Sequence, residues 1–325
     1  MITISKTIND PFIINYFRNF KNDCFLDIET TGLNKITDTI IIIGLLYKNN
    51  HKINLTQWIA EDLHDEKDLL INFLNILDIN WRFYTYNGLM FDFPFIKKKC
   101  DLYRFDFNFE ALEHFDLFQY IKGHKLVLPF SNLKLKTLIN NYTDFNIEDT
   151  DGKSCILNYH NYLKTRDSKL LKKIYKYNQL DLTGLNYSTQ ILADLNNLLI
   201  FEFNSIQFNI CSYQFNKNFL TITGSCSSYE NRIHSLEIFK NYYSLSISKD
   251  IFLLKLDIKQ VSINNYIFNI TDSIALNIPS LSNNIDILPS NIIPLSLSLK
   301  NKSNINKIFI NNIKLIFKKI LEQYK

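Results

Sequence analysis

Cysteine is sparse in this chain and forms no pattern. The five, at positions 24, 100, 155, 211 and 226, are odd in number and scattered. None pairs as C-x-x-C, so neither a zinc site nor a disulfide framework is supported. Long apolar runs are missing too, and none reaches the roughly 20 residues that span a bilayer. The start, Met1-Ile-Thr-Ile-Ser-Lys-Thr-Ile-Asn-Asp10, has no basic segment ahead of an apolar core, so no secretory leader is expected. These absences point to a reduced, cytoplasmic setting without a membrane contact. Charge of one sign is also scarce, with a net of only +4 over 325 residues. Residues 1–200 hold 23 Lys and Arg against 24 Asp and Glu, while 201–325 hold 13 against 8. A small basic excess thus lies in the C-terminal part, as on phosphate-binding surfaces. Hydrophobic content of 46% with 21% charged residues excludes a disordered chain. Richness in Asn, Ile, Lys and Phe fits AT-rich coding, and regular hydrophobic patterning argues against prion-like low complexity.

What the chain does have is Asp27 and Glu29, one residue apart at the end of an apolar run, Cys24 to Ile28. On a strand, residues i and i+2 share a face. Two carboxylates side by side resist joint ionisation unless a cation compensates them. A hard divalent ion is the natural compensator. Taken alone, the pair reads equally well as two surface acids at a strand end. Next comes Asn87-Gly88, a turn, and then Asp92 at the entrance of a helix that Pro94 suits. Asp92 alone reads as a helix cap. Last, Tyr177 and Asp181 stand i and i+4 in a helical stretch from about 168 to 199, on one face of it.

The periodicities place these residues on an α/β frame. Asp10-Pro11 opens an amphipathic helix. Strands are expected at about 24–28, 39–47 (with Gly44 inside) and 52–59, the three forming a meander. A helix over 62–77 follows, then strands at 82–86 and near 115–117, and several helices. Ser131 is expected to cap a helix over 132–141. The Lys97-Lys98-Lys99 run reads as a solvated helix face, with a contact to phosphate as the alternative. Asp116, with apolar flanks, reads as a structural hydrogen-bonding group, and His114 and His124 as structural. This order predicts a mixed five-stranded sheet with flanking helices over residues 1–200. After about Leu199 the period changes to strands: 219–223, 243–247, 251–258, 262–270 and 294–299. A closing helix is expected over 305–325. Residues 201–325 are therefore read as a smaller β-rich domain with a terminal helix.

The order of the three acidic clusters resembles the exonuclease motifs of the DEDD superfamily in its tyrosine subtype. More narrowly, the chain resembles the bacterial YprB-like family of ribonuclease-H-like exonucleases. The resemblance rests on Asp27-Ile-Glu-Thr-Thr-Gly-Leu33, Asn87-Gly-Leu-Met-Phe-Asp-Phe-Pro94 and Tyr177-Asn-Gln-Leu-Asp181, with support from His114-Phe-Asp-Leu117 and Asn132-Leu-Lys-Leu-Lys-Thr-Leu138. It covers roughly the first 200 residues. It implies a ribonuclease-H-like fold and metal-dependent hydrolysis of phosphodiester bonds in DNA or RNA, 3′→5′ from a single-stranded end. By the same resemblance, Asp27, Glu29, Asp92 and Asp181 hold two divalent cations, Mg2+ or Mn2+. Tyr177 orients the attacking water. Thr30, Thr31 and Leu33 grip the terminal nucleotide. Asn87 either contacts substrate or only makes the turn, and Leu33 is alternatively a packed loop residue. Two rivals remain open: a structure-selective endonuclease, and an inactive nucleic-acid-binding or interaction protein. Some family members carry helical repeats after the catalytic domain, so a role in substrate handling, protein docking or homodimerisation stays open for 201–325.

Overall fold

The structure is a computed structural model that describes residues 1–125, 127–128, 130–143, 152–216, 218–228, 235–262, 265–269, 292–296 and 307–323. They form two compact units: Met1–Ile121 with Asn132–Gln190, and Lys122–Ser131 with Ile191–Lys325.

The first unit opens with β1 (Ile2–Thr7), α1 (Pro11–Asn19), β2 (Asp23–Thr30), β3 (Ile40–Asn49) and β4 (Lys52–Ile59). There follow α2 (Glu66–Ile76), β5 (Arg82–Thr85), α3 (Asp92–Tyr103), β6 (Glu113–Asp116), α4 (Leu117–Gly123), α5 (Leu135–Tyr142), α6 (Gly152–Thr165) and α7 (Ser168–Ser188). The six strands lie in the order β1-β4-β3-β2-β5-β6. β1 to β4 pair antiparallel, while β5 joins β2, and β6 joins β5, in parallel. Ile40 to Tyr47 of β3 is buried without alternation, as in a strand covered on both faces. The helices α2 and α7 pack against it.

Six strands stand where the sequence predicts five. The addition is β1, an edge strand paired from Ile2–Ile59 to Thr7–Asn54. Its alternation is half-buried against exposed, too weak to stand out in a short polar-flanked segment. Asp10 does cap α1, accepting from the Ile13 N–H at 3.0 Å. Ser131 does not cap α5: Lys134 precedes that helix, and Asn132 shapes the turn by accepting from Lys134 N and Thr137 Oγ1. The expected long helix over 168–199 breaks at Thr189. The lysine run is not a uniformly solvated face either. Lys97 pairs with Glu110, while Lys99 is buried and lies 3.3 Å from the equally buried Glu66.

The second unit contains α8 (Gln190–Leu199), β7 (Ile200–Phe203), β8 (Ile206–Asn216), β9 (Phe219–Ser228), β10 (Ser235–Lys240), β11 (Tyr243–Ser248) and β12 (Ile251–Ser262). It closes with β13 (Asn265–Asn269), β14 (Ile292–Ser296) and α9 (Lys307–Glu322). The strand order is β10-β11-β12-β9-β8-β7, with β13 on the far half of β12 and β14 on β13. All pairs are antiparallel. Phe317 of α9 packs on Phe201, Phe208 and Phe252 of this sheet. The strands β7, β8 and β10 were not among those expected from the sequence. Parts of the expected strands at 262–270 and 294–299, and the ends of the expected helix over 305–325, lie outside the described residues. No helix among the described residues is long and apolar enough to cross a membrane.

Candidate functional site

The site begins where two strands stop pairing. β5 accompanies β2 only as far as Phe25–Tyr84, while β3 follows β2 on to Thr30. Past Phe25, one edge of β2 is open. The Ile28 N–H on that edge donates to Asp92 Oδ1 at 3.1 Å. Asp92 is the first residue of α3, with Phe91 in the cap position. Its carboxylate is thereby tied to the strand. Asp116 fixes the turn that delivers it, accepting from the N–H groups of Asn87 (2.9 Å), Leu89 (3.1 Å) and Gln119 (3.2 Å). Asn87 takes a left-handed backbone, φ 66°, which asparagine tolerates better than most residues. Its side-chain oxygen faces Gln119 Nε2 at 3.4 Å.

The other wall is α7. Asp27, Gly44 and Gln57 stand in one row across β2, β3 and β4. α7 crosses this row closely because Gly44 has no side chain. A Cβ there would lie 2.2 Å from Asn178 Oδ1 and 2.7 Å from Leu182 Cδ1. Asn178 Nδ2 donates to Asp27 Oδ2 at 2.7 Å, and its Oδ1 accepts from Gln57 Nε2, also at 2.7 Å.

This packing brings one carboxylate oxygen each from Asp27, Glu29 and Asp181 within 4.8 Å of one another. Burial, then the neighbouring acids, holds the carboxyls of Asp27 and Glu29 well above the usual carboxylate range. Burial also lifts Asp92 and Asp181 to about 7. The neighbouring Tyr177 hydroxyl acts the other way on Asp181 and favours its ionised form. Tyr177 itself is pushed up, by burial first and then by the charge of Asp181. Among the described residues no Lys or Arg forms an ion pair with these four acids. A partly buried group of hard oxygen donors with uncompensated charge fits a divalent cation.

The loop after β2 is closed on itself. Thr30 Oγ1 donates to Gly32 O at 2.6 Å, and Thr31 Oγ1 accepts from Thr39 N at 2.9 Å. The Thr30 O–H is thus spent within the loop, while the Thr31 hydroxyl only accepts there. Leu33 is 79% exposed, so it is not packed beneath the loop. With Lys35, Ile36, Pro94, Lys97 and Lys98 it lines an open groove between this loop and α3. Met90 is 64% exposed, and Lys35 Nζ reaches its carbonyl at 3.4 Å. The structure therefore brings Asp27, Glu29, Asp92, Tyr177 and Asp181 to one place. Sequence reasoning missed Asn178 and Gln57. A lone glycine within the β-branched run of β3 was the available signal, since such a glycine marks a close approach.

Comparison with known proteins gives the following. The model of the RNase H superfamily matches residues 24–187. The uncharacterized protein YprB of Bacillus subtilis is 28% identical over 173 residues, covering 51% of this chain and 41% of YprB. The chain thus spans less than half the length of that relative. Among solved structures, the family B DNA polymerase of Pyrobaculum calidifontis aligns with a TM-score of 0.44 and 11% identity, over 55% of this chain and 25% of the polymerase. The metal-free complex of Escherichia coli exonuclease I with single-stranded DNA gives 0.31 and 12%, over 62% of this chain and 53% of that one.

Proposed function

Because the chain belongs to the RNase H superfamily, we propose that it is a metal-dependent nuclease that hydrolyses phosphodiester bonds, working 3′→5′ from a single-stranded end. The observation that carries this reading is the meeting of oxygens from half-buried Asp27 and Asp181 and buried Glu29 within 4.8 Å, with Asp92 held against the same strand. Asp27, Glu29 and Asp181 would hold one Mg2+ or Mn2+, and Asp27 with Asp92 would serve a second. Bound there, such ions activate water and offset charge on the phosphate.

The chain's own residues do the rest. Burial keeps the Tyr177 hydroxyl protonated, so it acts as an orienting hydrogen-bond group for water beside Asp181 and not as a base. Asp116 holds the turn that presents Asp92. Leu33, Ile36 and Met90 offer exposed apolar surface to an unstacked terminal base. Lys35 and Lys98, in the groove beside them, suit the phosphate that follows. The Thr31 hydroxyl, which accepts from Thr39 N, keeps its O–H to offer the nucleotide. The β-rich residues 201–325, with their basic excess, would form an accessory domain that handles substrate.

The test is cleavage of end-labelled single- and double-stranded DNA and RNA with Mg2+ or Mn2+, resolved at single nucleotides. Stepwise loss from the 3′ end is expected, with no activity in Asp27→Ala. Wild-type cleavage by Asp27→Ala, or activity that survives EDTA, rejects the site. Internal cuts would point to an endonuclease. Binding without cleavage would point to an inactive interaction protein.

A further inference from the structure

Asn178 is fully buried, and its surroundings dictate which way round its amide sits. Gln57 Nε2 lies 2.7 Å from the Tyr175 carbonyl oxygen and 2.7 Å from Asn178 Oδ1. A backbone carbonyl only accepts, so Gln57 must turn its NH2 to that point. Reversing Gln57 would set its oxygen against a carbonyl oxygen. The second hydrogen of that NH2 then requires an acceptor, which fixes the Asn178 oxygen toward Gln57. The Asn178 NH2 is left facing Asp27, 2.7 Å from Oδ2 and 3.3 Å from the Asp27 carbonyl oxygen. Two main-chain carbonyls, of Tyr175 at one end and Asp27 at the other, set the polarity of this run of hydrogen bonds.

We infer that Asn178 is a positioning residue for Asp27, and that Gln57, which does not hydrogen-bond Asp27, acts through Asn178. This rests on the reading of Asp27 as a cation ligand. The amide holds Oδ2 of Asp27 and leaves Oδ1 free of Asn178. A carboxylate anchored this way is ordered before the ion arrives. Residues that orient metal ligands usually contribute about 10- to 100-fold to affinity. Gly44 belongs to the same device, since any side chain there would occupy the place of the Asn178 oxygen.

The experiment is Mn2+ binding by calorimetry on the full chain without nucleic acid, for wild type, Asp27→Ala, Asn178→Leu, Gln57→Met and the double variant. Near-UV circular dichroism checks folding. Gln57→Met keeps the length of the side chain but removes the donor, so the Asn178 oxygen loses its partner and the amide is held from the Asp27 side alone. Both single variants should raise the Mn2+ Kd about tenfold or more. The double variant should be no worse than Asn178→Leu, because Gln57 has no route to Asp27 except through Asn178. Additive losses would overturn the relay. An unchanged Kd in Asn178→Leu, with binding lost in Asp27→Ala, would overturn the positioning role and leave the metal site standing. Unchanged binding in Asp27→Ala would overturn the metal site itself. Should Asn178→Leu fail to fold, Gln57→Met decides alone: a wild-type Kd rejects the inference.

Discussion

Gly44 and Asn178 share one point in space: a Cβ on Gly44 would lie 2.2 Å from the Asn178 side-chain oxygen. The contact sets how near α7 comes to the sheet, and so how near Asp181 comes to Asp27 and Glu29. Gly44→Ala should therefore act twice. Overpacking should cost roughly 1–3 kcal/mol, read by urea unfolding. The displaced helix should also weaken Mn2+ binding and cleavage. A variant as active and as stable as wild type would show that α7 is not held by this contact.

Asp116 lies on the opposite side of the site and touches none of the four acids through a hydrogen bond. Its carboxylate accepts from Asn87, Leu89 and Gln119 N–H groups. Asp116→Ala leaves those donors unsatisfied and should cost about 2–4 kcal/mol, given the worth of hydrogen bonds to a charged group. It should also loosen the turn before Asp92. Denaturant unfolding gives the first effect. Retained full activity would mean that the turn keeps its shape unaided.

Without metal, the acid cluster makes stability depend on pH. Asp92 and Asp181 sit at about 7 when folded because burial disfavours their charge. Unfolded, an aspartate titrates near 4. Between those values the native state binds more protons than the unfolded chain, so stability falls as pH rises through the window. The Tm in EDTA should therefore fall from pH 5 to pH 8. Asp181→Asn removes one of these groups and should flatten the slope. Saturating Mn2+ should flatten it as well, since the ion compensates the charge. Parallel slopes for wild type and Asp181→Asn in EDTA would contradict the assigned burial.

Tyr177→Phe removes one hydroxyl and little else. Tm should change little, and Mn2+ binding should weaken only modestly, through loss of a group that favours ionised Asp181. The single-turnover rate should drop by roughly 10- to 1000-fold if that hydroxyl aligns the water. A rate near wild type would place Tyr177 outside the chemistry.

Much of this frame was legible in the sequence. Asp27 and Glu29 announce themselves by strand spacing, and Tyr177 and Asp181 by helix spacing. Both patterns depend only on neighbours along the chain. The links between them do not. Gln57 and Asn178 are 121 residues apart, and only the folded sheet brings them together. Lys99 reads as one of three solvated lysines until Glu66 of α2 meets it in the interior. The break at Thr189 has no proline or glycine beside it. β1 is an edge strand whose partner, β4, arrives some 50 residues later, so its pairing leaves little trace in its own composition.

Leu33 separates handling of the nucleotide from the chemistry. It is exposed, it lines the groove beside α3, and it lies within the loop that Thr31 and Thr39 close. An apolar side chain against a base gains from burying surface, at about 25 cal/mol per Å2, so truncation should cost on the order of 1 kcal/mol. Leu33→Ala should then lower kcat/KM on an oligonucleotide roughly fivefold. Hydrolysis of a small phosphodiester without a base should stay at the wild-type rate, because no ligand of the acid cluster moves. Comparing the two substrates on one preparation decides the matter. Equal losses on both would make Leu33 a prop of the loop, and no loss on either would remove it from the path of the substrate.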